Sequence, residues 1–216
     1  HSTELESVLV EKNKTQALEV ISRMLQEPGA VSYVRQQEPA GLGHAVWCAR
    51  HLIGNEPVAV LLADDLILGA PALAEMTARY TSGNMVALME VPASDTGAYG
   101  IITPGKKDGQ VTEINAIVEK PSPETAPSTK AVVGRYILEP GVFDVLAKGQ
   151  RGAGGEIQLT DALAARIGHV PFHGFDFSGE RFDCGSKIGF LKANIAFGMA
   201  RDELQGDLAE WLPTRL

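Results

Sequence analysis

Between Pro57 and Ala63 the chain reads Pro-Val-Ala-Val-Leu-Leu-Ala and then meets two acids, Asp64 and Asp65. A short, continuous apolar run of this kind fits a strand buried on both faces, as in a sheet covered by helices. Carboxylates directly after such a strand fall where open α/β sheets gather ligands, just outside the strand's carboxyl end. They either serve a metal or a phosphate, or simply start a loop and cap the next helix. Helical periodicity flanks the run. Ala17, Leu18, Ile21, Met24 and Leu25 share one face after a capping Thr15, and Ala45, Val46, Ala49, Leu52 and Ile53 share another. A helix at Leu73–Tyr80 and a buried strand at Met85–Val91 follow, the alternation of a parallel-sheet protein.

From Tyr99 onward the pattern turns toward β structure, with strands expected at 99–103, 111–119, 131–138 and 169–177. Pro121, Pro123 and Pro127 mark a loop, because proline removes ladder donors and restrains its predecessor. Helices are expected at 141–148, 158–167 and 187–203, with an amphipathic tail ending near Trp211. No repeat or compositional break divides the chain. The fold class expected is α/β in one domain, residues 1–216, with 187–216 as a helical segment of it.

The 44% hydrophobic content suffices for a sizeable core, while 27 acidic against 19 basic residues leave a formal charge of −8. That balance disfavours gripping nucleic acid by its phosphates, so a nucleic-acid partner is not expected and a phosphate ligand needs local help. Cys48 and Cys184 lie 136 positions apart with no second Cys at ligand spacing to either, which excludes a disulfide scaffold, gives no expectation of a zinc cluster and fits a reducing cytoplasm. The longest apolar run, Val58 to Ala63, is far too short to span a bilayer, so no membrane partner is expected either.

Several groups are able to carry chemistry, each with a plainer reading beside it. Gly41-Leu-Gly-His-Ala45 opens a helix, and its glycines let a ligand approach free backbone N–H groups, or they form a tight turn. Glu119-Lys120 ends a strand and Tyr99-Gly100 begins one. The acid and base either bond sugar hydroxyls and phosphate or form a surface ion pair. Arg135 and Glu156 are equally ambiguous. In Asp183-Cys-Gly-Ser-Lys187, Ser186 is placed to cap a long helix and Lys187 to reach an anion, and Cys184 reads as packing.

In order along the chain, Gly41-Leu-Gly-His-Ala45, Leu62-Ala-Asp-Asp65, Tyr99-Gly100, Val118-Glu-Lys-Pro121, Gly134-Arg-Tyr136, Gly154-Gly-Glu-Ile-Gln-Leu-Thr-Asp161 and Asp183-Cys-Gly185 form a set. Over nearly its whole length the chain thereby resembles the sugar-phosphate nucleotidyltransferase family, and Gly-Leu-Gly-His-Ala points to its bacterial uridylyl branch. The resemblance implies a Rossmann-like nucleotide-binding sheet with β extensions and a C-terminal helical tail. It implies UTP and glucose 1-phosphate as substrates and UDP-glucose and pyrophosphate as products, for polysaccharide synthesis. Mg2+ would be the cofactor and a homo-oligomer, dimer or tetramer, the assembly. Residue by residue, Gln36 and Gly41 would lie by the uracil, Asp64 and Asp183 would bind the metal, and Gly100, Glu119 and Lys120 would contact the glucose phosphate. Asp64 and Lys120 would then be the catalytic pair.

The family begins with a strand and a glycine-rich phosphate loop carrying an arginine and, downstream, a lysine. This chain matches neither, so it is expected to start after them and, taken alone, to turn over little. Two competing readings remain open: a metal-dependent glycosyltransferase using nucleotide sugars, and a non-catalytic sugar-nucleotide-binding module.

Overall fold

The computed structural model describes residues 3–24 and 26–215. Leu25, counted in the first helical face, and the extreme ends of the expected single domain lie outside the described residues. The chain separates into two compact units, 1–35 and 36–216. The first contains helices α1 (Thr3–Glu11) and α2 (Thr15–Met24). Thr15, expected as a cap, is instead the first helical residue, and the Lys14 carbonyl accepts the first helical hydrogen bond, from Leu18 N at 3.0 Å.

The second unit begins with α3 (Leu42–Cys48), shorter than the apolar periodicity suggests because the chain tightens into a 3-10 turn at Arg50–Leu52. Then come β1 (Val58–Leu61), β2 (Asp65–Gly69), α4 (Ala72–Arg79), β3 (Asn84–Glu90), β4 (Gly100–Asp108), β5 (Val111–Glu119) and β6 (Lys130–Leu138). After these follow α5 (Gly141–Leu146), α6 (Leu159–Ala164), β7 (Phe172–Asp176), β8 (Gly179–Asp183), α7 (Lys187–Met199) and α8 (Asp202–Trp211). A six-stranded sheet has the order β1-β6-β3-β7-β5-β4, and β2 pairs with β8 in a separate ribbon.

The α/β expectation holds, but the parallel sheet does not. Of these pairings β3–β7 is parallel and the rest are antiparallel, so the sheet is mixed. The apolar run at 58–63 is corrected as well. Its strand stops at Leu61 and alternates half-buried with exposed residues, because β1 lies at the end of the strand order and pairs with β6. The strand buried on both faces is β3, held between β6 and β7, whose Met85, Val86, Ala87 and Leu88 are all inaccessible.

One core cluster joins Val86, Leu88, Ile102 and Leu138 of the sheet to Val142, Leu146, Leu159 and Leu163 of α5 and α6. On the opposite face Met76 of α4 packs with Met85, Ala87 and Phe175. Alternate residues of β3 thus supply both layers, as a twofold side-chain period requires. Ser186 caps α7 as expected, its Oγ accepting from Gly189 N at 3.1 Å. The helix ends at Met199 rather than 203, since Arg201 is extended, and α8 packs back on α7. Among the described residues no helix is long and apolar enough to cross a membrane.

Candidate active site

The β2–β8 ribbon assembles the site. Its antiparallel register sets Asp65 opposite Asp183, and one step outward Cys184 N donates to Asp64 O at 2.7 Å. Two acids more than a hundred positions apart in the chain are therefore brought to one spot. A Cβ placed on Gly185 would sit 3.1 Å from Asp64 Oδ2 and 3.0 Å from Asp183 Oδ1. Glycine here keeps open the space that both carboxylates border.

The neighbouring acid is spent on the fold. Asp65 is buried, accepts from Gly134 N at 2.5 Å through Oδ2 and from Arg181 Nε at 2.6 Å through Oδ1, and is ion-paired with Arg181. Arg181 also donates to Tyr99 Oη at 3.0 Å. Burial opposes its charge, but the Asp65 carboxylate and the Tyr99 hydroxyl together outweigh that and raise its pKa. Arg135 belongs to the same framework: its guanidinium donates to the carbonyls of Leu62 at 3.2 Å, Gly134 at 2.9 Å and Asp65 at 2.6 Å, fixing the turn that presents Asp64.

A cavity of about 400 Å3 opens here, lined among others by Leu42, Asp64, Gly100, Glu119, Lys120 and Asp183. β4 and β5 pair so that Gly100 lies opposite Glu119. Glu119 Oε1 is 3.8 Å from Lys120 Nζ, with the glutamate side chain 12% and the lysine 48% exposed. Lys120 has φ +48°, a left-handed conformation unusual for a side-chain-bearing residue, and its N–H donates to Tyr99 O at 2.9 Å. Strained backbone of this sort gathers at functional sites.

Gln36 and Gly41 stand at the turn leading into Leu42, with Gln36 Nε2 donating to Gly41 O at 3.1 Å. The turn's glycines are used differently from the expectation of free N–H groups. Gly43 N donates to Ile157 O at 2.9 Å, and a Cβ on Gly41 (φ +103°) would fall 2.8 Å from Glu156 Cβ. The group that approaches the turn closely is the protein's own 156–158 segment.

Sequence reasoning did not identify Tyr136 and Arg181 as site residues, though both line the cavity. Burial raises the Tyr136 pKa, and the nearby Asp65 and Glu119 push the same way against Arg181, so its hydroxyl stays a donor. A signal existed, because Gly134 and Tyr136 sit two apart on one strand and share a face.

The cavity's charges define what it accepts. With Asp65 and Arg181 neutralising each other, Asp64, Glu119, Glu156 and Asp183 face the single ammonium of Lys120. A phosphate entering this lining meets repulsion unless a cation accompanies it. Among the described residues no group of three or more His, Cys, Asp or Glu side chains is placed to hold a metal alone. Two hard oxygen donors bordering one open space, with ligand phosphates completing the shell, fit a hard divalent ion.

The nucleotidyl transferase family profile matches residues 2–197. The chain is 46% identical to the UTP–glucose-1-phosphate uridylyltransferase of Komagataeibacter xylinus, over 98% of this chain and 73% of that protein. It is 42% identical, with the same shares covered, to the enzyme of that name from Bacillus subtilis. Among solved structures it is similar to a UDP-glucose pyrophosphorylase complexed with UDP-glucose, with TM-score 0.81 and 41% identity over 88% of this chain and 74% of that one. It is also similar to a UTP-bound UGPase from Acinetobacter baumannii, with TM-score 0.86 and 34% identity over 98% and 75%.

Proposed function

The chain belongs to the nucleotidyl transferase family, and from that premise we propose that it is a uridylyltransferase forming UDP-glucose and pyrophosphate from UTP and glucose 1-phosphate. The observation that carries the site assignment is the convergence of Asp64 and Asp183 beside Gly185, next to a cavity that holds Glu119 and Lys120.

In the reaction an oxygen of the sugar phosphate bonds to the α-phosphorus of UTP, while the bond from that phosphorus to the pyrophosphate oxygen breaks on the opposite side. No covalent link to the protein forms, so catalysis rests on alignment and charge neutralisation. The difficulty is mutual repulsion: at ~4 Å two unit charges repel by about 4 kcal/mol at an effective dielectric near 20. Left unscreened, that slows the approach roughly a thousandfold.

This chain's residues answer that problem from two sides. Lys120 places its ammonium against the phosphate of glucose 1-phosphate, and Glu119 accepts from sugar hydroxyls, held in place by β5. Gly100, opposite Glu119, leaves room for the sugar. Gln36 and Gly41 lie on the base side. Asp64 and Asp183 hold the divalent ion, which we take to be Mg2+, and when bound it supplies positive charge to the phosphate oxygens. Asp65, Arg181 and Arg135 keep Asp64 in place. We read residues 1–216 as one nucleotidyltransferase domain, with 187–216 its helical tail. The setting is the cytoplasm, and α8 with Leu208 and Trp211 is the contact of a homo-oligomer.

The test is to run the full-length gene product in both directions. UTP and glucose 1-phosphate should release pyrophosphate, and UDP-glucose with pyrophosphate should return UTP without any acceptor sugar. Turnover that requires an acceptor would make the chain a glycosyltransferase instead, and binding of UDP-glucose with no turnover would make it a binding module.

A further inference from the structure

We infer that His44 is a positioning residue that locks the Gln36 side-chain amide with its oxygen outward, so that the turn favours a pyrimidine carrying a proton on ring N3. The inference rests on reading Gln36 as a base-side residue and adds what orients it.

Gln36 Nε2 lies 3.1 Å from Gly41 O and 3.0 Å from His44 Nδ1. A backbone carbonyl only accepts, so the amide must turn its nitrogen toward Gly41; the flipped rotamer would press two oxygens together. The second N–H of that same nitrogen then goes to His44 Nδ1, which must be bare. The ring proton therefore resides on Nε2, facing Cys48 Sγ at 3.8 Å. His44 is itself held by stacking on Trp47, with centroids 5.9 Å apart and planes 23° from parallel, and Arg50 covers Trp47 at 3.5 Å.

With both N–H groups engaged, Gln36 Oε1 is the one polar atom of the side chain left to meet a ligand, and it only accepts. Uracil carries a proton on N3, whereas cytosine has a lone pair there. A site built to bond a donor rejects an analogue that brings an acceptor, since two lone pairs then face each other. Without the His44 acceptor the amide loses half of what fixes its orientation and adapts to either base.

The test compares kcat/KM for UTP and CTP, at saturating glucose 1-phosphate, in the full chain and in its Gln36→Ala, His44→Phe and His44→Gln variants. His44→Phe keeps a ring against Trp47 but removes the acceptor, and His44→Gln can return one. The preference for UTP should fall about tenfold or more in His44→Phe, through KM for UTP more than kcat, and recover in part in His44→Gln. An unchanged preference in His44→Phe with a lowered one in Gln36→Ala overturns the positioning role and leaves the base-side reading standing. A preference intact in Gln36→Ala overturns the base-side reading and the inference with it. Should His44→Phe not fold, the 15N spectrum of the wild-type ring decides: a protonated Nε2 with a bare Nδ1 supports the lock, and a proton on Nδ1 overturns it.

Discussion

Asp64 and Asp65 are adjacent in the chain and opposite in circumstance: Asp64 is exposed at the cavity, whereas Asp65 is buried against Arg181 and Gly134. Asp64→Asn should therefore cut kcat roughly a hundredfold or more, the cost of losing a charge-stabilising group, with little change in Tm. Asp65→Ala should instead lower stability by about 3 to 5 kcal/mol, because it strands a buried guanidinium. Paired turnover and denaturation measurements on the two variants check this, and a reversed pattern would exchange their roles.

Gly185→Ala tests the shared space directly. The added methyl would stand 3.0 Å from Asp183 Oδ1 and 3.1 Å from Asp64 Oδ2, so a carboxylate has to shift by a few tenths of an ångström. Activity should fall about tenfold and the concentration of divalent ion needed for half-maximal rate should rise. Unchanged metal dependence would show that this space is not where the ion sits.

Lys120 combines charge with a left-handed backbone. Lys120→Ala and Lys120→Gly should both raise KM for glucose 1-phosphate by roughly ten- to a hundredfold, the worth of a charged hydrogen bond. They should differ in stability, with the glycine variant firmer by about 1 kcal/mol because it adopts φ +48° without Cβ strain. Equal stabilities would mean that the strain is relieved elsewhere.

Outside the cavity lining, Asp176 accepts from Lys107 at 2.8 Å and from Lys130 at 2.9 Å. Burial on its own would raise its pKa, but these two lysines bring it below the usual carboxylate range. A depressed folded pKa gives stability that is complete above the unfolded value, near 3.9, and is lost as pH falls through the folded one. Asp176→Asn should flatten that acid limb of the stability curve; an identical limb would assign it to other carboxylates.

How far the sequence disclosed all this depended on the range of the interactions. β3, β5 and β6 announced themselves by local apolar patterning, and their ends fell within a residue or two of expectation. The β2–β8 ribbon did not, since Leu66-Ile-Leu68 and Arg181-Phe182 carry no turn or spacing that pairs them across more than a hundred positions. That ribbon decides which of the two adjacent acids is free, so local patterning did not separate Asp64 from Asp65, and only the family resemblance singled out Asp64. The parallel-sheet expectation failed for the same reason, because strand direction is set by partners the local pattern does not reveal.

A crystal structure of the full chain with UDP-glucose and Mg2+ measures the central claim most directly. The ion should lie about 2.0 to 2.1 Å from a carboxylate oxygen of Asp64, with a diphosphate oxygen in its shell, and the glucose should lie between Gly100 and Glu119. An ion coordinated away from Asp64 and Asp183, or a glucose remote from Glu119 and Lys120, would contradict it.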